Sequence, residues 1–312
     1  MKRPLLELLI CPSCLPDEIS LRIQNHDMDG EDILSGRLHC GQCGTNYPIS
    51  EGIPRLIPIQ NPMCNLSGKY EAQSVVSSYL WSHYGDLFDD QDAAQAYREW
   101  ADLVVSRTGF SLDAGCAVGR FTLEMSRKSD FAVGVDLSHA FIKKAREFIT
   151  KGSLDISLVV EGTLTEEKTI HMHKDWNTEK VEFLVADVQA LPFRGGSFST
   201  LSSLNLIDKI PLPFLHLKEM NRVARKKDAQ FLLSDPFSWS TDVTGKENWL
   251  GGTSKGPFSG YGEENIASLL HGEDGGIDPP WSLGNRGHVW WKIRNHRNHF
   301  ELIRSCYLNA FR

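Results

Sequence analysis

The clearest chemical signal in the chain is a set of small and acidic residues between positions 110 and 136. Residues 110–120, FSLDAGCAVGR, predict a buried strand that ends near Asp113, a glycine turn, and a helix from about residue 121. Small side chains in such a turn let the backbone contact a ligand, and here they are Gly115, Ala117 and Gly119. The next predicted strand ends at Asp136, whose carboxylate can accept hydrogen bonds from both hydroxyls of a ribose. This pattern predicts a nucleotide-type ligand.

The acid in the turn indicates which nucleotide-type ligand fits. Asp113 would repel a diphosphate, whereas it would attract a cationic sulfonium. A further predicted strand, residues 181–186, is followed by Asp187 and Val188. From about residue 79 to 312, this order of motifs resembles the class I S-adenosylmethionine-dependent methyltransferases. The resemblance implies that S-adenosylmethionine is the donor and that it is bound by Asp113, Gly115, Ala117, Gly119, Asp136, Leu137, Asp187, Val188 and Asn205.

Four cysteines near the N-terminus form a second site. Two Cys-x-x-Cys pairs, separated by 25 residues, have the spacing of a tetrahedral four-thiolate zinc site, and they are Cys11, Cys14, Cys40 and Cys43. Four thiolates leave no open position, so the zinc would be structural. A disulfide pair and a metal-free ribbon are the alternatives, and cytoplasmic location disfavours disulfides. Residues 1–60 resemble the small zinc-ribbon proteins that activate tRNA and translation-factor methyltransferases.

The elements that would position these residues form two units. A chain of 312 residues suffices for one large α/β domain and a small appendage. We expect a zinc ribbon at residues 1–60 and a methyltransferase domain at residues 61–312, with a doubly wound, Rossmann-like, mostly parallel sheet. Residues 237–287 leave from the end of the fifth predicted strand, beside the usual ligand crevice, and this insertion is predicted to be a lid over the substrate.

Composition excludes some classes of function. The hydrophobic content is 41 %, and no apolar run is long enough to span a bilayer. Residues 5–10 are too short for a signal peptide and include Glu7, so we expect a cytoplasmic protein without a membrane partner. The net charge of −7 disfavours a large nucleic-acid footprint but leaves a local basic patch open. The sequence does not determine the oligomeric state.

Segments that are less common than the donor-binding motifs indicate the methyl acceptor more closely. Residues 78–85, 204–210, 247–252 and 291–294 together resemble the methyltransferase domain of ovothiol biosynthesis, which methylates an imidazole nitrogen of 4-mercaptohistidine. The resemblance implies a small imidazole- or thiol-bearing amino-acid derivative as substrate. With the positions of the strand ends, it assigns catalytic roles to His83, Tyr84, Asn205 and Asp208. It assigns substrate binding to Tyr79, Trp249 and Arg294, the last as a bidentate clamp for a carboxylate.

Two other functions compete with this interpretation. An RNA- or protein-directed methyltransferase would use the ribbon for substrate recognition, but the chain lacks a basic stripe interleaved with aromatic residues, and its basic cluster is confined to residues 222–227. A non-enzymatic scaffold would bind the donor and stabilise a partner. The full set of donor-binding acids and small turn residues argues against the scaffold.

Overall fold

A computed structural model describes residues 1–59, 67–88 and 90–312, and the predicted boundary between residues 60 and 61 lies outside them. The α-helices of these residues are α1 (Gln73–Tyr84), α2 (Ala96–Asp102), α3 (Arg120–Met125), α4 (His139–Lys151), α5 (Pro213–Val223) and α6 (Gly262–His271). The strands are β1 (Leu21–Asp29), β2 (Asp32–Cys40), β3 (Asn46–Ser50), β4 (Ile53–Leu56), β5 (Phe110–Ala114), β6 (Phe131–Asp136), β7 (Ser153–Glu161), β8 (Leu164–His171), β9 (Val181–Ala186), β10 (Phe198–Leu204), β11 (Gln230–Asp235), β12 (Ser282–His296) and β13 (His299–Phe311).

One mixed sheet of eleven strands organises the described residues, in the order β1-β2-β3-β4-β9-β6-β5-β10-β11-β13-β12. The strands from β4 to β11 in this order are all parallel, and β13 is antiparallel to β11. Every residue of β9 and β11 is buried, as expected for parallel strands covered on both faces. The predicted fold class is confirmed.

The N-terminal ribbon extends this sheet. Strands β1 to β4 form an antiparallel meander, and β4 pairs with β9 at Arg55–Val185 and Leu56–Ala186. Apolar side chains of both parts share one core, including Leu5, Leu9 and Leu38 from the ribbon with Leu184 and Phe193. The ribbon therefore covers the strand edge that β9 would otherwise expose.

A buried ion cluster ties the ribbon to the helical layer. Arg146 on α4 bonds to Asp32 of β2 at 3.2 Å and also pairs with Glu182 at the start of β9. Glu182 is inaccessible to solvent, and Arg146 lies directly under Gly52, where a Cβ atom would meet its guanidinium. Because a buried charge needs its partner, the cluster holds the two parts in one arrangement.

Two segments depart from a simple alternation of strands and helices. Residues 153–171 form the β7–β8 hairpin, which is separate from the main sheet. Residues 237–287, the predicted lid, contain α6 and the first residues of β12, so their last part belongs to the sheet edge. No helix of the described residues is long and apolar enough to cross a membrane.

Candidate active site and metal centre

A cavity lies at the carboxyl ends of β5, β6, β9 and β10. This is the edge where parallel α/β sheets bind ligands. Its walls are Tyr70, Tyr79, His83, Tyr97, Gly115, Ala117, Asp136, Leu137, Ser138, Phe141, Ala186, Asp187, Val188, Gln189, Leu204, Asn205, Leu206, Lys209, Ile210 and Trp291. Nine of the predicted site residues are among them: Tyr79, His83, Gly115, Ala117, Asp136, Leu137, Asp187, Val188 and Asn205.

The glycine turn forms one wall. Gly115 has φ +75°, and a Cβ atom there would lie 2.9 Å from the side chain of Leu206. Ala117 is also left-handed, with φ +46°, and its N–H donates to Asp136 Oδ2 at 3.0 Å. A side chain at position 115 would therefore be both strained and obstructed, which explains the glycine.

Asp136 links the turn to the next helix. Its Oδ1 accepts a hydrogen bond from the N–H of Ser138 at 2.8 Å. Burial raises the pKa of Asp136 to about 6, so the carboxylate is ionised at neutral pH. With backbone donors fixing both of its oxygens beside the cavity, Asp136 can accept the hydroxyls of a ribose.

The loop after β9 forms the next wall. Asp187 Oδ1 accepts hydrogen bonds from the backbone and side-chain nitrogens of Gln189, at 2.9 and 3.2 Å. Behind the loop, His216 Nδ1 donates to the carbonyl of Val188 at 3.1 Å, and its Nε2 accepts from Ser203 Oγ at 2.9 Å. Burial lowers the pKa of His216 to about 4, so the ring is a neutral brace for this loop.

Asn205 turns the chain away from β10 at the cavity wall. Its φ is +53°, a conformation that asparagine tolerates better than most residues. Its N–H donates to the carbonyl of Ser234 at 2.6 Å, and its side-chain oxygen accepts from Ser305 Oγ at 2.6 Å. Strands β11 and β13, which follow β10 on one side of the sheet, thus hold the turn.

Aromatic rings enclose the side of the cavity formed by α1, α2 and β12. Tyr79 lies 4.8 Å from Phe141 and 6.0 Å from Trp291, measured between ring centroids. His83 is stacked at 4.1 Å on Tyr97, whose hydroxyl lies 2.6 Å from His83 Nε2. Burial and, to a lesser extent, the nearby Arg120 lower the pKa of His83 well below its usual range. His83 is therefore a neutral imidazole.

Lys209 supplies the cationic side chain of this cavity wall. Its Nζ lies 3.0 Å from Oδ2 of Asp208, and the same oxygen accepts from the N–H of Ser238. The single 3₁₀ turn Ile207–Lys209 directs Asp208 into the interior, so Asp208, a predicted catalytic residue, lies behind Lys209 rather than in the cavity wall.

Two predicted donor-binding residues have structural positions instead. Asp113 is buried and accepts hydrogen bonds from Thr122 Oγ1 and Ser202 Oγ, at 2.7 and 3.0 Å. A Cβ atom on Gly119 would lie 2.6 Å from Phe183, so this glycine permits close packing of α3. Neither residue lines the cavity. Both residues instead stabilise the backbone around the turn.

Periodicity explains two other differences from the sequence predictions. On α1, Tyr79 and His83 lie four residues apart on one face, whereas Tyr84 points away and donates to the carbonyl of Val118 at 2.8 Å. On β12, Trp291 lines the cavity, but Arg294, three residues on, is on the opposite face. There it pairs with Glu166 of β8 at 2.8 Å, and it is not a substrate clamp beside the donor.

The predicted lid does not cover the cavity. None of residues 237–287 lines it among the described residues. Trp249 is instead stacked on Trp239, with ring centroids 6.5 Å apart, beside a separate surface depression formed by residues 246–258. The roof comes from the 3₁₀ helix Ser67–Glu71, α1 and β12, which contribute Tyr70, Tyr79, His83 and Trp291.

Sequence reasoning missed several cavity residues, namely Tyr70, Tyr97, Phe141, Gln189, Lys209 and Trp291. Two signals were available. Lys209 follows Asp208 in a segment already singled out, and Trp291 begins the segment 291–294. Tyr97 carried no such signal, because α2 meets the cavity only in the folded chain.

The four ribbon cysteines form a compact cluster. Their sulfur atoms all lie within 4.8 Å of one another, with Cys11–Cys43 at 3.6 Å and Cys14–Cys40 at 3.7 Å. A tetrahedron with Zn–S bonds of about 2.3 Å has edges of roughly this length. The hydroxyls of Tyr47 and Thr45 lie 3.2 and 3.1 Å from the sulfurs of Cys11 and Cys43, and can stabilise thiolates. The residues present fit a structural zinc ion.

Two family models match the sequence. Residues 112–229 match the methyltransferase domain, and residues 2–52 match the Trm112p-like protein family. No curated protein matches the sequence. The chain is thus an S-adenosylmethionine-dependent methyltransferase that carries a Trm112p-like zinc ribbon.

Solved structures resemble the chain distantly. The complex between the Haloferax volcanii Trm112 methyltransferase activator and the putative methyltransferase matches at TM-score 0.44 and 13% identity, covering 75% of this chain and 96% of that one. An Aquifex aeolicus SAM-dependent methyltransferase matches at 0.43 and 14%, covering 79% and 96%. The Bacillus subtilis YcgJ protein matches at 0.42 and 15%, covering 69% and 97%. At these values, function rests on the family models and the site geometry.

Proposed function

We propose that this enzyme transfers the methyl group of S-adenosylmethionine to a small imidazole- or thiol-bearing amino-acid derivative in the cytoplasm. Methylation of an imidazole nitrogen, as in ovothiol biosynthesis, is the favoured reaction. The observation that carries the proposal is the aromatic enclosure around His83, made by Tyr79, Tyr97 and Trp291 beside the donor-binding turn. Such an enclosure suits a flat ring and excludes water from it.

In this proposal, the donor occupies the side of the cavity that contains the acidic residues. Asp136 accepts the ribose hydroxyls, the loop of Asp187 and Val188 holds the adenine, and the turn at Gly115 and Ala117 contacts the methionine part. The negative charge of these carboxylates complements the sulfonium cation. Asn205 fixes the wall between the donor and the acceptor.

Methyl transfer is then a direct displacement. A lone pair of the acceptor nitrogen attacks the methyl carbon, the S–CH₃ bond breaks, and the sulfur departs with the bonding electrons. The donor is already activated, so the protein contributes orientation and exclusion of water. The methylated imidazolium must afterwards lose a proton, and His83 is the neutral base in the wall. Lys209, rather than Arg294, is placed to pair with a substrate carboxylate.

The competing candidate is an RNA- or protein-directed methyltransferase, which the Trm112p-like match favours. Two observations weigh against a recognition role for the ribbon. Of the described residues, those lining the cavity begin at Tyr70, so none belongs to the ribbon. The ribbon's strand β4 is already paired with β9. These features support a role for the ribbon in stabilising the catalytic domain.

Methyl transfer from labelled donor to a panel of acceptors tests the proposal. The panel contains imidazole thiols, histidine derivatives, free thiols and total RNA, each incubated with wild-type enzyme. We expect label in the imidazole thiols. Label in RNA alone would overturn the proposal and make the ribbon the candidate recognition module.

A further inference from the structure

The side chain of Tyr97 on α2 is hydrogen-bonded to the catalytic candidate His83 and to no other polar group among the described residues. Its hydroxyl oxygen lies 2.6 Å from His83 Nε2, and both rings line the cavity. Both side chains are almost completely buried, with exposed fractions of 8 % and 3 %. A hydrogen bond this short between buried groups fixes which ring nitrogen of His83 faces the ligand.

The remaining nitrogen of His83 needs a partner. A neutral imidazole has one donor and one acceptor nitrogen. Nε2 is engaged by Tyr97, while Nδ1 is buried and has no partner among the described residues. Buried polar atoms are nearly always hydrogen-bonded. His83 forms part of the cavity wall, so a ligand group bound there can supply the partner that Nδ1 lacks.

We propose that Tyr97 is a catalytic residue that works with His83 to remove the proton released by the acceptor ring. The inference rests on the proposed function, because it requires an imidazole acceptor. In the reactive arrangement, His83 Nε2–H donates to the Tyr97 oxygen. The lone pair of His83 Nδ1 then accepts the N–H of the second ring nitrogen of the acceptor.

The proton path balances in three transfers. After the methyl group has moved, the acceptor ring is a cation and its N–H proton passes to His83 Nδ1. The Nε2 proton passes to the Tyr97 oxygen, and the original hydroxyl proton of Tyr97 leaves to solvent through the exposed part of that side chain. His83 and Tyr97 end neutral, with the imidazole proton now on Nδ1, the product is a neutral methylimidazole, and one proton reaches solvent. Proton exchange with solvent after product release returns the proton of His83 to Nε2. No further reactant is needed.

The substitution Tyr97→Phe separates this role from packing. The Tyr97 ring also packs edge-on against Trp100, with centroids 5.3 Å apart, and phenylalanine retains this contact. Only the hydroxyl and its bond to His83 are lost. Tyr261→Phe is the matched control, because Tyr261 is 82 % exposed on the surface.

The test compares two acceptors in wild type and variants. One is an imidazole thiol with a free ring N–H, and the other carries a methyl group on that second nitrogen, so its product has no proton to lose. We expect Tyr97→Phe to lower kcat for the first acceptor by about 100-fold, within the usual contribution of general acid–base catalysis. For the second acceptor and for donor affinity, we expect a change of less than about twofold. Equal losses for both acceptors, or none, would overturn the inference.

A binding measurement decides the question if the wild type fails to turn over either acceptor. Imidazole and 1-methylimidazole are titrated calorimetrically into the complex with S-adenosylhomocysteine. We expect wild type to prefer imidazole, whose N–H meets His83 Nδ1, and Tyr97→Phe to lose that preference because nothing holds the proton on Nε2. The same ratio in both proteins would overturn the inference. Failure of the proposed function is separate, since it appears as wild-type inactivity towards every imidazole offered.

Discussion

Removal of zinc should weaken donor binding, although the cysteine cluster does not touch the cavity. The loop of Asp187 and Val188 is held by the ribbon at both ends. At its start, β4 pairs with Val185 and Ala186, and at its end the N–H of Ile10, next to Cys11, donates to the carbonyl of Pro192 at 3.0 Å. A unit as small as the ribbon depends on its metal for folding. Loss of zinc should therefore release this loop.

The expected magnitude follows from the bonds at the end of the loop. The Ile10–Pro192 bond and the bond from Arg194 N to the carbonyl of Leu8 are each 3.0 Å long. At about 0.5–1.5 kcal/mol net each, the two bonds together stabilise the ordered loop by about 1–3 kcal/mol. If donor binding must restore that order, its Kd rises by about 5- to 150-fold.

The assay is calorimetric titration of S-adenosylhomocysteine into zinc-loaded protein, chelated protein and the variant Cys40→Ser, with metal content measured on each sample. Cys306→Ser is the matched control, because Cys306 is a free cysteine on β13, outside the ribbon. Readdition of zinc should restore affinity to the chelated sample but not to Cys40→Ser. Metal-free protein that binds the ligand within about twofold of the loaded form would refute the coupling.

Three further substitutions test the cavity and its support. Asp136→Ala should weaken donor binding by about 1.5–3 kcal/mol, the range for hydrogen bonds to charged groups. Because the pKa of Asp136 is raised to about 6, wild-type affinity should fall as the pH drops below that value, whereas the variant should lack this dependence on Asp136. Gly115→Ala should destabilise the fold by more than about 1 kcal/mol, through left-handed strain and the contact with Leu206. Glu182→Ala should destabilise the protein by about 3–5 kcal/mol in urea unfolding, because it removes the fully buried partner of Arg146 and leaves only the partly exposed Asp32.

Each substitution has a control and a contradicting result. Asp102→Ala removes an exposed carboxylate from α2 and should leave donor affinity unchanged. Calorimetry giving wild-type affinity for Asp136→Ala would remove that residue from the site. Gly162→Ala has a similar φ, +57°, but open space around its Cβ, so it reports strain alone. Equal losses for the two glycine variants would contradict the contact with Leu206. An unchanged unfolding midpoint for Glu182→Ala would contradict the buried pairing.

Local patterns predicted the parts of the site that local chemistry determines. Asp136 and Asp187 were found because each follows a buried run, and parallel strands bring their carboxyl ends to one edge. The cysteine spacing likewise predicted the cluster. Gly119 was predicted in the turn, and it directly precedes α3. That it packs against Phe183 instead of lining the cavity was not foreseeable from sequence, because small size serves close packing and ligand approach equally well.

Other features depended on tertiary contacts between distant segments. Tyr97 meets His83 only when α2 packs beside α1, and Trp291 reaches the cavity only when β12 forms the far edge of the sheet. Arg294 was predicted to bind substrate, but strand alternation puts it on the face of β12 opposite Trp291. The pairing of β4 with β9 was also not predicted, because an edge-to-edge match between two units leaves no local sequence pattern.

The fusion of ribbon and catalytic sheet gives a physical reason for a zinc unit that lies away from the chemistry. A parallel sheet that ended at β9 would expose unpaired backbone groups beside the loop of Asp187, which forms part of the cavity wall. Strand β4 satisfies those groups, and the buried cluster of Glu182, Arg146 and Asp32 fixes how the two parts meet. The four cysteines hold the meander that supplies β4. The metal centre thus supports the cavity through the sheet itself.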